Sequence, residues 1–335
     1  MDVILDFLQT FITQFQKPTL AFLIGGMVVA ALGSRLDIPD AIYRFIIFML
    51  MMRIGIEGGM EIREAEIAEI VLPALMAVVA GCVIVLIGWV TLTRLPGVSM
   101  ADGIATAGLF GAVSSSTLAA AMVMMNEQSV FFEAWVPALY PFMDIPALVL
   151  AIVLANVQLA KQSGKGKGAV KVGDIVKESL QGGALSAMLL GIALGLFTQP
   201  DAVFDGFYDP LFRGLLSVLM LIMGMEAYER LVELRRVAHW YGIYAFIAPP
   251  LHGLIAFGLG YIAHMVTGFS PGGVVLLSVI AASSSDISGP PTLRAGIPTA
   301  NPSAFLGAST SIGTPMAIAV CIPLFLALGE IVFGV

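Results

Sequence analysis

A polar stretch inside a membrane-length apolar segment limits the possible folds of this chain more than any other feature. The segment covers residues 274–297, about the length that an α-helix needs to cross a bilayer. Its middle, AASSSDISGPP at 281–291, holds four serines, one carboxylate, one glycine and two prolines. A carboxylate inside a membrane is costly, which makes Asp286 a candidate functional residue. We therefore expect a helix that breaks near Asp286 and starts again beyond it.

The composition is that of an all-α integral membrane protein. Of the 335 residues, 59% are hydrophobic and 12% are charged, and the mean hydropathy is +0.97. A soluble domain carries roughly 25% charged residues. The sequence has no basic patch with interleaved aromatic residues, which disfavours nucleic acid as a partner. Cys82 and Cys321 lie in separate apolar runs, so we expect them to be small buried hydrophobic residues rather than metal ligands.

Hydropathy predicts ten membrane spans in two groups of five. The spans cover residues 19–34, 41–60, 70–93, 103–125 and 131–160 in the first group, and 180–198, 211–227, 241–266, 272–297 and 304–332 in the second. Residues 1–16 have the amphipathic pattern of a helix in the membrane interface and lack the basic start of a cleavable signal peptide. A flexible basic linker at 161–178 separates a first unit, 1–160, from a second, 179–335.

The two groups of spans resemble each other. The sequence Gly-Met-Glu closes span 2 at 59–61 and span 7 at 224–226, and a triple serine lies within both span 4 and span 9. Five spans per repeat is an odd number, so the second copy must be inverted in the membrane. The sequence therefore predicts two inverted five-helix repeats, with spans 4 and 9 as crossed broken helices.

Lysine and arginine predict the orientation. If the N-terminus lies outside, most basic residues fall in inner loops, and only Lys17, Arg53, Arg63 and Arg213 fall outside. The positive-inside rule then places both termini outside the cytoplasm and the central linker within it.

The two interrupted spans predict an anion site. Serines are favoured N-caps, and each new helix start presents unpaired N–H groups and about half a positive charge. Two such starts that approach from opposite sides would bind an anion without an arginine. The alternative is a pair of kinked helices whose serines bond to their own backbone. The candidate substrate-binding residues are Gly111, Ala112, Val113, Ser114, Ser115, Ser116, Ser283, Ser284 and Ser285.

A sodium site is predicted beside the anion site. Asp144 lies in span 5 between two prolines, and Asp286 lies at the break in span 9. Hard cations prefer oxygen ligands, which carboxylates, hydroxyls and freed carbonyls supply. Two alternatives stay open: a carboxylate that accepts bonds from helix N–H groups, and a protonatable relay. The candidate sodium ligands are Asp144, Asp286, Ser116, Thr117, Ser288 and Thr314, the last beside an expected break in span 10 at Gly313 and Pro315.

Other polar residues have simpler interpretations. Arg53 and Glu57 are spaced for an i,i+4 ion pair at the interface. Asp102 precedes span 4 and is expected to cap its first turn. Glu61 and Glu226 end spans 2 and 7, where we expect them to be solvated. The three histidines lack metal-ligand spacing, so no transition-metal site is expected.

Three motifs carry a family resemblance over essentially the whole chain. SSSDISGPPTLRAGIP from Ser283, YPFMDIPA from Tyr140 and YDPLFRGLL from Tyr208 resemble the cyanobacterial sodium-dependent bicarbonate transporter family. The resemblance implies Na⁺-driven bicarbonate uptake across the plasma (inner) membrane in a carbon-concentrating mechanism. It also implies a homotrimer and a cytoplasmic PII-like regulator that binds an adenine nucleotide. The linker is shorter than in many members of that family.

The resemblance also implies a core subdomain of spans 3–5 and 8–10 and a gate subdomain of spans 1, 2, 6 and 7. Na⁺/HCO₃⁻ symport by alternating access is then the leading hypothesis, with Na⁺ as the coupling ion and no other cofactor. The alternatives are a Na⁺/H⁺ exchanger or a Na⁺-coupled symporter of another small anion. An anion channel belongs to a different class and would pass current without Na⁺. An enzyme is disfavoured because the sequence has no nucleophile–base pair.

Overall fold

The computed structural model describes residues 18–36, 38–163, 172–234, 239–287 and 289–334. The described part is all-helical, with 84% of its residues in helices. The interfacial helix predicted at 1–16 and the candidate ligand Ser288 lie outside the described residues.

The described part of the first half forms six α-helices. They are α1 (Pro18–Ala31), α2 (Asp40–Glu64), α3 (Ile67–Leu92), α4 (Met100–Gly111), α5 (Ser115–Glu127) and α6 (Tyr140–Ser163), with a 3₁₀ turn at Val136–Leu139 before α6.

The described part of the second half forms seven helices besides a single turn at Asp201–Val203. They are α7 (Val172–Leu180), α8 (Gly183–Phe197), α9 (Asp209–Leu234), α10 (His239–Thr267), α11 (Pro271–Ala282), α12 (Gly289–Gly296) and α13 (Pro302–Phe333). A π turn at Phe204–Tyr208 leads into α9. The end of the predicted linker is thus helical, because α7 buries Ile175 in one cluster with Ile152 of α6 and Leu293 of α12.

Six segments of the described chain are long and apolar enough to cross a membrane. They are Ile67–Leu92, Met100–Glu127, Val136–Gln158, Asp201–Glu229, Trp240–Thr267 and Pro302–Phe333. The helices α1, α8 and α11 are apolar but shorter, and α2 contains charged residues such as Arg53 and Glu57. Large apolar side chains such as Phe246 and Leu251 are exposed, as expected where lipid replaces water. These features identify a multi-pass membrane protein; the ten-span inverted repeat stays a prediction.

Two groups of helices pack closely within themselves. In one group α2 packs along α8, and α1 packs along α9. Glycines allow these backbones to touch: a Cβ at Gly55 would overlap the Met188 carbonyl, and one at Gly224 would overlap the Leu23 carbonyl. In the other group α3 packs against α4 and α6, and α10 packs against α11. Small residues at such crossings are typical of membrane helices.

Interruptions occur within both predicted broken spans. The chain leaves helical geometry between Gly111 and Ser115, and again between Ala282 and Gly289. Span 10 differs from the prediction of a break at Gly313 and Pro315. There α13 continues through π turns at Ser309–Gly313 and Ala317–Cys321. A π turn absorbs an extra residue, which lets the helix pass Pro315 without stopping.

Candidate functional site

The interruptions in the two broken spans touch each other. The Ser285 N–H donates to the Leu109 carbonyl at 2.9 Å, and the Ser114 N–H donates to Ser283 Oγ at 2.9 Å. The Ser116 hydroxyl donates to Asp286 Oδ2. A backbone N–H of each break therefore donates to an acceptor in or beside the other break. The two breaks thus form a single site, which we call the crossing.

Local sequence explains why the first break restarts as a helix. Ser114 has extended backbone angles, φ −92° and ψ 121°, and its side chain accepts from the Thr117 N–H at 3.1 Å. This is an N-cap, the interaction for which serine is favoured. Ser114 Oγ also lies 2.9 Å from Ser116 Oγ, so the hydroxyls of these two serines form a connected chain towards Asp286.

The second break is built differently. Ser285 Oγ accepts from the Gly289 N–H at 2.8 Å, so a serine before Ser288 satisfies the first N–H of α12. Ser283 Oγ donates to the Ile280 carbonyl at 2.7 Å, which is the back-bonding of the alternative interpretation. The same oxygen accepts from Ser114, so back-bonding and the contact between the breaks coexist.

Asp144 brings a third element, α6, to the crossing. Its carboxylate is fully buried, and Oδ1 accepts from the Val113 N–H at 2.9 Å. This bond satisfies a donor that the break in span 4 leaves free. The contact places Asp144 at the site and gives it a structural role; its role as a sodium ligand stays a prediction.

A fourth element, α13, adds a residue that the sequence analysis missed. Ser309 Oγ lies 2.8 Å from Ser284 Oγ, at the start of the first π turn. A Cβ at Gly313 would lie 2.9 Å from Ser284 Oγ, so α13 passes directly beside the second break. The signal was available as the polar triplet at 309–311 within an apolar span, and π turns are frequent at functional sites.

Four side-chain oxygens at these elements are buried without a hydrogen-bond partner in the described structure. They are Ser115 Oγ, Thr117 Oγ1, Asp286 Oδ1 and Thr314 Oγ1. An unpaired buried polar atom costs about 1–3 kcal/mol, so these four oxygens are candidate ligands for an ion or a small solute. Hydroxyl and carboxylate oxygens suit a hard cation such as Na⁺. Within the described ranges no three His, Cys, Asp or Glu residues cluster, so hydroxyls make up most of this set.

A cavity of about 940 Å³ reaches the crossing at Asp286. It is lined by residues of α2, α9, α12 and α13 and by the start of α8. Its lining includes Asp40, Tyr43, Arg44, Gly183, Glu226, Asp286, Pro290, Arg294 and Thr310. The site is therefore open towards the end of the molecule where α8 begins.

Other charged residues lie away from the crossing. The predicted ion pair of Arg53 with Glu57 is present, and the Arg53 guanidinium also contacts Asp209 at 2.6 Å. The guanidinium lies 4.6 Å from the centre of the Phe212 ring, so packing as well as charge holds it. Arg53 is buried, whereas Glu57 and Asp209 are partly exposed, so the predicted pair is confirmed and Asp209 is a further partner.

The prediction that Asp102 caps the first turn of span 4 is wrong. Ser99, not Asp102, caps α4 and accepts from the Asp102 N–H at 3.0 Å. The Asp102 carboxylate accepts instead from the Asn301 N–H at 2.6 Å, at the start of α13.

These features define the class of the protein. Interrupted membrane helices that meet around buried oxygens are the arrangement by which secondary transporters bind ions and small solutes. The sequence profile of the Na⁺-dependent bicarbonate transporter superfamily matches residues 18–330. The chain belongs to this superfamily, which confirms the resemblance found in the sequence. A search of curated protein sequences found no match.

Proposed function

We propose that the protein takes up bicarbonate together with Na⁺ by alternating access, as a Na⁺/HCO₃⁻ symporter that serves inorganic carbon concentration. The observation that carries the proposal is the direct contact of the two breaks, through Ser114 with Ser283 and Ser285 with Leu109. The superfamily supplies the substrate and the coupling ion.

The anion binds where the starts of α5 and α12 converge. Bicarbonate is small and planar, with several acceptor oxygens and one donor hydroxyl. The start of α5 offers N–H groups and partial positive charge, and the serines offer hydroxyls that both donate and accept. The start of α12 offers partial positive charge, because Ser285 already accepts from the Gly289 N–H and Pro290 and Pro291 have no N–H. Ser115, whose hydroxyl has no partner in the described structure, is the serine we assign to direct contact with the anion.

Sodium binds to the remaining unpaired oxygens. Asp286 Oδ1, Thr117 Oγ1 and Thr314 Oγ1 are buried and unpaired, and Asp286 supplies the charge. Asp144 and Ser116 complete the proposed set, and Ser288 would extend it. A cation beside Asp286 also cancels the negative charge that would otherwise repel bicarbonate, which makes binding of the two ions mutually favourable.

Transport follows from movement between the two helix groups. The proposed gate contains α1, α2, α8 and α9, and the proposed core contains α3–α6 and α10–α13. In this proposal the helices form ten spans in two inverted repeats, and each repeat contributes to both gate and core. The cavity at Asp286 lies between α2 and α9 on one side and α12 and α13 on the other, as expected for a passage between the two groups. With the orientation given by the positive-inside rule, this cavity faces the cytoplasm.

The family resemblance supports further parts of the proposal. They are location in the plasma (inner) membrane, assembly as a homotrimer and inhibition by a cytoplasmic PII-like protein with adenine nucleotide. The central linker and α7 lie on the side of the membrane where such a regulator would bind.

Radiolabelled bicarbonate uptake into proteoliposomes tests the transport proposal. Uptake should require an inward Na⁺ gradient and should be absent when K⁺ replaces Na⁺. Sodium flux that follows pH and ignores bicarbonate would instead identify a Na⁺/H⁺ exchanger. Bicarbonate current without Na⁺ would identify a channel, and either result would overturn the proposal.

A further inference from the structure

Two arginines line the cavity that leads from the crossing. Arg44 lies on α2 and Arg294 on α12, and both border the same space as Asp286. Both residues are exposed. Ion pairs in the described chain involve only Arg53 and Arg63, so neither cavity arginine has an acidic partner there.

The position of Arg294 separates it from the crossing. It is in the last turn of α12, about 8 Å along the helix axis from Gly289 at a rise of about 1.5 Å per residue. The backbone of Arg294 therefore lies beyond the break, on the part of α12 that lines the cavity. An anion that leaves the crossing through this cavity must pass it.

We propose that Arg44 and Arg294 form a second anion subsite at the mouth of the cavity, which takes bicarbonate as a small oxyanion. The proposal rests on the proposed function, because it assigns a step to the same transport path. The planar guanidinium presents a fork of N–H donors that matches two oxygens of a carboxylate-like group.

The positive charges of Arg44 and Arg294 offset part of the negative charge of the carboxylates that line the cavity. Asp40, Glu226 and Asp286 also line it, and carboxylates alone would repel a departing anion. When Na⁺ leaves, Asp286 regains its full negative charge and disfavours bicarbonate at the crossing. Arg44 and Arg294 then give the anion a favourable position on its way out.

The subsite depends on the conformation. Arg44 lies on α2 and Arg294 on α12, which belong to different helix groups in the proposed transport movement, so their separation changes when the cavity closes. Removing them should therefore change bicarbonate affinity at this membrane face and leave the opposite face unchanged.

Transport from the two faces tests this asymmetry. Bicarbonate flux is measured in right-side-out and inside-out membrane vesicles for Arg44→Gln and Arg294→Gln, with Arg94→Gln as the control because Arg94 is exposed but does not line the cavity. We expect KM at the cavity face to rise about threefold to tenfold in the first two variants, with Arg294→Lys in between. An unchanged KM at that face, or an equal rise at both faces, would overturn the proposal.

A second measurement does not depend on transport. Ala295 lines the cavity, so Ala295→Cys in a chain with Cys82→Ala and Cys321→Ala reports the local potential through its reaction with anionic and cationic thiol reagents. We expect the preference for the anionic reagent to fall in Arg44→Gln and Arg294→Gln, and bicarbonate to slow labelling. If the preference of Ala295→Cys for the anionic reagent stays the same in both arginine variants, the subsite proposal is wrong even where uptake is normal. If that preference falls as expected but the wild-type protein shows no Na⁺-dependent bicarbonate uptake, the transport proposal is wrong.

Discussion

The two carboxylates of the crossing, Asp144 and Asp286, make different hydrogen bonds. Asp144 Oδ1 accepts from the Val113 N–H at 2.9 Å, so part of its role is to satisfy the backbone of the break. Asp286 accepts from the Ser116 hydroxyl through one oxygen, while its other oxygen is buried without a partner in the described chain. Asp286 is therefore the better placed of the two to give a full carboxylate oxygen to a cation.

Replacement of Asp286 by asparagine tests that assignment. The amide keeps the shape but removes the negative charge, so we expect the apparent KM for Na⁺ to rise about tenfold to a hundredfold. Bicarbonate uptake at a series of Na⁺ concentrations measures this, with Glu64→Gln as a control because Glu64 is exposed. Normal Na⁺ dependence in Asp286→Asn would remove Asp286 from the sodium site.

A pair of substitutions separates the structural and sodium-binding roles of Asp144. Asp144→Asn keeps an oxygen that can accept from Val113, whereas Asp144→Ala leaves that buried N–H unpaired at a cost of about 1–3 kcal/mol. We expect the alanine variant alone to lose thermal stability and both variants to raise the KM for Na⁺. Thermal unfolding in detergent measures the structural role, and bicarbonate uptake at a series of Na⁺ concentrations measures the sodium-binding role. If Asp144→Asn transports with normal Na⁺ affinity, the role of Asp144 is structural only.

At the level of helices, the broken spans are held from outside as well as by each other. The Glu133 carboxylate, in the loop after α5, accepts from the Ser270 N–H at 2.9 Å and from its hydroxyl at 2.6 Å, at the start of α11. The Asn301 N–H, in the loop before α13, donates to Asp102 in the first turn of α4. The loop that follows each broken helix thus holds the start of the other one, which ties the two broken helices together at both of their outer ends.

Close contact of α1 and α9 gives a prediction for the other helix group. A Cβ at Gly224 would overlap the Leu23 carbonyl, whereas a Cβ at Gly214, on the same helix, would meet nothing within 4 Å. Gly224→Ala should therefore destabilise the protein by about 1–3 kcal/mol through overpacking. Gly214→Ala should be neutral or stabilise by up to about 1 kcal/mol through helix propensity. Melting temperatures in detergent measure both; equal stability of the two variants would contradict the close approach of α1 and α9.

For the whole molecule, the membrane face on which the cavity lies must be consistent with the orientation of the chain in the membrane. The cavity is lined in part by the start of α8, and the positive-inside rule predicts that this end lies in the cytoplasm. The loop after α5 lies at the other end of the broken span, where Phe131 is 73% exposed. The arrangement therefore assigns opposite faces of the membrane to the cavity and to Phe131.

Labelling by a membrane-impermeant thiol reagent checks this assignment. In a chain with Cys82→Ala and Cys321→Ala, Thr310→Cys in the cavity should be labelled from the cytoplasmic face and Phe131→Cys from the outside. Na⁺ and bicarbonate together should slow labelling at Thr310→Cys, because conformations with the cavity closed become populated. Labelling of both positions from the same face would show that the orientation or the fold is wrong.

Local patterns in the sequence were sufficient for the class of fold and the place of the breaks. Apolar runs must become helices in a bilayer because each backbone polar group needs a partner within its own segment. Serines and prolines at a helix start act on neighbouring residues, so the interruptions near Ser114 and Asp286 could be predicted. The bounds of most helices followed within a few residues, but span 5 starts later than predicted, span 7 ends later, and span 10 has no break at Gly313 and Pro315.

Contacts between distant parts of the chain could not be predicted in the same way. The bond from Ser114 to Ser283 joins residues 169 positions apart, and the contact of Ser309 with Ser284 depends on how α13 passes the second break. The burial of Arg53 beside Asp209 and the cavity between α2 and α12 have the same origin. Hydropathy and capping describe what each segment does alone, whereas helix packing decides which polar atoms meet and which stay unpaired, and these atoms make the site.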